Sequence, residues 1–149
     1  MKKYQIAQVN IARAKAEMDD EIMSDFVSRL DEINEIADKS PGFVWRLQGD
    51  EGGATSIRVF NDSLILVNMS VWEDIESLRN FVYKSSHVEL IGNREAWFNK
   101  LELAHQALWW IPQDNLPTVE DAKEKLEHIR KHGVTQQAFT FGRPSDPPE

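Results

Sequence analysis

The nine residues Leu64-Ile65-Leu66-Val67-Asn68-Met69-Ser70-Val71-Trp72 constrain the fold more than any other stretch. In an extended chain successive side chains point to opposite faces, so Ile65, Val67, Met69 and Val71 share one side and Leu66, Asn68, Ser70 and Trp72 the other. The first side is wholly apolar and the second sets leucine and tryptophan beside an amide and a hydroxyl. A strand of this kind has to be covered on both sides, which makes it central in its sheet.

Three further strands are predicted around it. Residues 4–11 alternate Gln5, Ala7, Val9 and Ile11 against Tyr4, Ile6, Gln8 and Asn10. Residues 43–47 alternate large apolar residues with smaller or charged ones, and residues 106–111 end at Pro112, which cannot donate to a ladder. A short edge piece is expected over 57–60, after the flexible turn Gly49-Asp50-Glu51-Gly52-Gly53, whose two acids argue against a phosphate cradle. Between strands, Ile22, Phe26, Leu30, Ile33 and Ala37 fall at helical spacing from Asp19 to Lys39, stopped by Pro41-Gly42. After the central strand come two helical stretches. The first carries Ile75, Leu78 and Val82; the second carries Leu90, Trp97 and Leu101 on one stripe with His87, Ile91, Arg94 and Phe98 on the next. A last helix opens at Thr118, with Asp121 placed to return its cap, buries Val119, Ala122, Leu126 and Ile129, and closes at Gly133; Phe139 and Phe141 pin the C-terminal segment against the body.

The order strand, helix, two strands, helices, strand is the split βαβ or ferredoxin-like pattern: an α+β fold with a four-stranded antiparallel sheet and an extra C-terminal helix. Length suits one domain over 1–142, with 112–142 as the helix-and-strand extension and 143–149 as a mobile tail. Helices are expected on one sheet face only. The strand sides carrying Tyr4, Ile6, Phe43 and Trp45 are then too apolar to stand in water, so the bare face is expected to close against a second copy, giving a homodimer.

A net charge of −8 disfavours nucleic acid and anionic lipid, and no apolar run approaches the roughly 20 residues of a membrane-spanning helix. The basic start, Met1-Lys2-Lys3, leads into the alternating strand instead of an apolar signal core, so a cytoplasmic protein is expected. With no cysteine, thiol catalysis and thiolate-bound metals are excluded.

The runs Ser70-Val71-Trp72-Glu73-Asp74, Phe81-Val82-Tyr83-Lys84-Ser85-Ser86-His87, Arg94-Glu95-Ala96-Trp97-Phe98, Leu108-Trp109-Trp110-Ile111-Pro112, Leu116 to Ala122 and Ala138-Phe139-Thr140-Phe141 resemble a bacterial domain-of-unknown-function family. That family is placed among the dimeric α+β-barrel proteins, beside the antibiotic-biosynthesis-type monooxygenases. The resemblance covers roughly residues 4–142 and implies a fold and a dimer, with no reaction assigned.

Four of the five tryptophans lie in residues 72–111, around His87. His87, with Tyr83 one turn before and Ile91 one turn after, is the polar group expected to pass protons in a cavity between sheet and helices; the bland alternative is a histidine bonded to Glu89 or to backbone. Asn10, Asn68, Tyr83, Trp72, Trp97 and Trp109 are the candidate substrate-binding residues, as donors and aromatic walls, against the competing reading of each tryptophan as core. The resemblance also brings haem-degrading relatives into view, whose asparagine and histidine have counterparts in Asn10 and His87. The tryptophan of that set is replaced by Phe81, and Ser85-Ser86 stands where a glycine-rich segment belongs, so haem is disfavoured and no cofactor is expected. His105, His128 and His132 are read as solvated, with His132 suited to the negative end of its helix, and no metal site is expected. The function implied is monooxygenase-like chemistry on a small aromatic or apolar substrate; the alternative is a non-catalytic ligand-binding or structural dimer.

Overall fold

In the computed structural model the described residues are 3–16, 20–47, 65–84, 98–99 and 106–147. The predicted edge piece at 57–60, the glycine-rich turn, His87, Trp97 and His105 lie outside them, and so does the Tyr83 side chain. Strand β1 (Tyr4–Ala14) is followed by a 3-10 turn (Glu21–Met23) running into α1 (Ser24–Lys39), then β2 (Phe43–Arg46), β3 (Ile65–Trp72), α2 (Ile75–Lys84), a two-residue β4 (Phe98–Asn99), β5 (Gln106–Pro112) and α3 (Val119–His132).

All pairings are antiparallel, in the order β2-β3-β1, with β5 on the free side of β1 along Tyr4–Asn10 and β4 continuing that edge opposite Arg13 and Ala14. This is the ferredoxin-like order, and β3 and β1 are its central pair. The second helical stretch predicted after β3 does not continue through Phe98-Asn99, which pairs as strand with β1.

Local chemistry explains the joints. Asp20 accepts the Ile22 amide at 3.0 Å and opens the 3-10 turn. Met23, three residues before the buried Phe26 of α1, is the buried residue of this turn, whereas Ile22, predicted to face inward, is 49% exposed. Gly42 leaves α1 at φ +82°, and Asp74 caps α2 by accepting the Ser77 amide at 2.7 Å. Thr118 and Asp121 form the expected reciprocal cap of α3, and Gly133 ends it at φ +76°.

Both sheet faces are covered from within the chain, which corrects the expectation of a bare one. On the first face Ile6, Trp72 and Leu108 pack under Ala37 of α1, Leu78 of α2 and Phe139 of the C-terminal segment. On the second, Ala7, Val9, Ile11, Val67, Met69, Val71, Ala107, Trp109 and Ile111 pack under Ala122, Leu126 and Ile129 of α3. Ile6 is fully buried, so the strand side assigned to the open face is in fact beneath the helices. Phe43 and Trp45 do not share a side either. β2 carries a bulge between them, so Phe43 sits opposite Trp72 and Trp45 opposite Val71, and one extra residue reverses the parity.

Candidate functional site: a polar row beneath an aromatic core

The first face changes character along its strands. Its end row, Phe43, Trp72, Ile6 and Trp110, is apolar; the next is Arg46, Ser70, Gln8 and Leu108; the third is Asn68, Asn10 and Gln106. Residues opposite one another on paired strands share a face at about 4.5–5.5 Å between Cβ atoms, so the three amides of the third row stand side by side.

Trp72 closes the apolar end. It is fully buried, with Phe43 edge-on at 5.4 Å and Phe81 stacked at 5.2 Å between ring centres. Its indole N–H donates to Ser70 Oγ at 2.8 Å. Gln8 Nε2 donates to the same oxygen at 2.8 Å and to Asn68 Oδ1 at 2.8 Å. Gln8 and Ser70 are 7% and 8% exposed, so the two bonds to Ser70 Oγ are made where water does not compete for them, whereas Asn68 is exposed and its bond to Gln8 lies at the edge of the core.

The donor arithmetic of this network is informative. Both hydrogens of the Gln8 amide are used, and both lone pairs of Ser70 Oγ are filled, which leaves the Ser70 hydroxyl hydrogen as a donor aimed away from Gln8 and Trp72. Among the described residues nothing accepts it, and the side chains of Asn10 and Gln106 make no hydrogen bond there. The one cation of the second row, Arg46, is held by Asp38 of α1 through Nε to Oδ1 at 2.8 Å and Nη2 to Oδ2 at 3.3 Å. With Arg46 paired to Asp38, the row offers hydrogen-bonding groups more than net charge.

Of the residues nominated from sequence, Asn10, Asn68 and Trp72 are brought together here. Trp109 is not: it lies on the opposite face, 3% exposed in the core under α3. Gln8 and Ser70 were missed; their signal was polar residues inside strands that are otherwise apolar on that side. His128 and His132, read from sequence as solvated, stand four residues apart and so share one face of α3. Two grooves flank α2. One of about 690 Å³ is lined by Ile75, Glu76, Arg79, Trp110, Ser145 and Asp146, and one of about 220 Å³ by Ser40, Pro41, Ser77, Asn80 and Phe81. The larger is walled by the segment expected to be a mobile tail, where the Ser145 carbonyl accepts from Trp110 Nε1 at 2.8 Å.

A family model described as a domain of unknown function, DUF3291, matches residues 5–149. The chain belongs to the DUF3291 family. No curated protein matches this DUF3291 sequence. Among solved structures it is similar to SnoaB, a cofactor-independent oxygenase from Streptomyces nogalater, at 17% identity over 76% of this chain and 98% of that one, with a TM-score of 0.51. A candidate antibiotic-biosynthesis monooxygenase from Nitrosomonas europaea shares 11% identity over 78% and 93% of the two chains, with a TM-score of 0.47. At 17% identity the likeness to SnoaB is one of fold: the DUF3291 chain has an α+β, ferredoxin-like fold. Among the described residues no helix is long and apolar enough to cross a membrane.

Proposed function

We propose that the chain is a homodimeric, cytoplasmic small-molecule oxygenase that uses no cofactor and acts on an electron-rich aromatic held against the polar row. The observation that carries this reading is Ser70, a buried hydroxyl whose acceptor capacity is filled by Gln8 and Trp72, which leaves its hydrogen as a donor for a ligand oxygen entering along the row. The fold shared with a cofactor-independent oxygenase supports it. In such chemistry the arene, as its phenolate or enolate, passes electrons to dioxygen. One oxygen atom becomes a new ring carbonyl and the other leaves as water with the two hydrogens lost from that carbon, so no external reductant enters. The protein's task is to hold the anion among donors and exclude water.

In this reading Ser70, Asn10 and Asn68 hold the substrate oxygens, Trp72 fixes Ser70, His87 takes the substrate proton, and Tyr83 and Trp97 complete the apolar wall. The test is dioxygen uptake with a panel of polycyclic hydroxyarenes and enolisable aryl ketones, with ¹⁸O₂ label followed into product. Uptake above the buffer rate that falls with His87→Ala and Ser70→Ala is expected; binding without uptake would remove the enzyme and leave a ligand carrier. That second reading has its own support, since the 690 Å³ groove at Trp110 is walled by Arg79, Glu76 and Asp146, residues outside the Ser70 network.

A further inference from the structure

His128 and His132 stand one turn apart on the last two turns of α3, with ring centres 4.9 Å apart and planes at 47°. Two imidazoles bound side by side to one cation at the usual metal–nitrogen distance of about 2.0–2.1 Å have ring centres about 4.5–5.2 Å apart. The pair already stands at that separation.

The support around His128 fits the same role. Its Nε2 hydrogen-bonds Thr135 Oγ1 at 2.7 Å, and that oxygen also accepts the Gln137 amide at 3.1 Å. The Thr135 backbone is fixed in turn by exchange with Ala138, at 2.8 Å and 3.3 Å. In the tautomer that donates Nε2–H to Thr135, the Nδ1 lone pair is left for a cation, and a hydrogen bond on the far nitrogen is how ligating histidines are ordinarily oriented. The helix end supplies partial negative charge, which counters a fraction of the positive charge of the neighbouring Arg130 and Lys131. His132 is exposed, so a cation reaches the pair from solvent.

We propose that His128 and His132 form a chelate site for a borderline divalent transition-metal cation, copper(II) tightest and nickel(II) and zinc(II) weaker, the order imidazole ligands impose. Among the described residues no third His, Cys, Asp or Glu joins the pair, so water completes the coordination. A bound cation stiffens the last turn of α3, whose His128 is already tied to the turn at 134–138. This site is independent of the oxygenase reading and lies on a different element.

The experiment titrates the full chain with copper(II) and records its electron paramagnetic resonance at substoichiometric metal. Nitrogen splitting from two imidazoles is expected in the unaltered chain and from fewer in His132→Gln, with affinity lower by about tenfold or more; Thr135→Val keeps both ligands and loses about tenfold by freeing the ring. His132→Cys, carrying the only thiol of the chain, is expected to show a thiolate-to-cobalt charge-transfer band with cobalt(II). Equal copper affinity and spectra in the unaltered chain and His132→Gln, or no binding by the unaltered chain at micromolar metal, would overturn the site. Circular dichroism of His132→Gln guards against a loss through unfolding.

Discussion

Trp72 and Gln8, on neighbouring strands, donate to one and the same oxygen, Ser70 Oγ, each at 2.8 Å. Replacing Ser70 by alanine strands two buried donors at once. With each stranded donor costing about 1–3 kcal/mol, Ser70→Ala is expected to lower the urea midpoint clearly at an unchanged slope. A variant as stable as the parent would mean that the network contributes nothing to the fold.

Gly42 is held by geometry in two ways. Its φ of +82° suits glycine, and a Cβ there would lie 2.1 Å from Ser77 Oγ and 2.5 Å from Ser77 Cβ. Gly42→Ala is therefore expected to cost more than about 1 kcal/mol in thermal or urea unfolding, and pairing it with Ser77→Gly recovers only part, because the backbone strain stays.

The cover supplied by α3 can be weighed residue by residue. Leu126 is fully buried under the strands, so Leu126→Ala is expected to lose about 2–5 kcal/mol. Thr118→Ala, which removes only the cap, is expected to lose about 0.5–2 kcal/mol. The ordering of the two in chemical denaturation checks whether packing or capping anchors the helix.

The proposed homodimer has to form without a bare sheet face. Sedimentation at micromolar concentration is expected to return twice 17.2 kDa. A single-subunit mass would overturn the dimer and leave the polar row intact, since none of its residues lies on the face under α3.

Much of the sheet was legible because strand parity is a local property. β1, β3 and β5 place their alternating residues as their patterns demand, and the Thr118–Asp121 cap and the Gly133 stop of α3 depend on a few adjacent residues. The hidden part is long-range or irregular. No local signal says which sheet face α3 will choose, so a face covered by the chain itself was assigned to a mate. The bulge in β2 has no composition of its own, and it undid the pairing of Phe43 with Trp45. Within the site, Asn10, Asn68 and Trp72 were found from residue type, whereas Gln8 and Ser70 gain meaning only once β1 and β3 are aligned and their side chains meet.

Val44 is the residue by which β2 outruns β3. Were it to claim a rung of its own opposite Val71, the edge strand would slide by one place: Trp45 would land beside Ser70 among the amides, and the guanidinium of Arg46 would be driven opposite Met69 into the hydrocarbon under α3, away from Asp38. Standing outside the ladder, the surplus residue sends the Trp45 indole to the hydrocarbon under α3 and keeps the Arg46 guanidinium on the opposite face, within reach of Asp38. Cutting it out would let Phe43, Trp45 and Arg46 keep their present neighbours on an unbroken edge, so this corner of the molecule tolerates shortening by one residue.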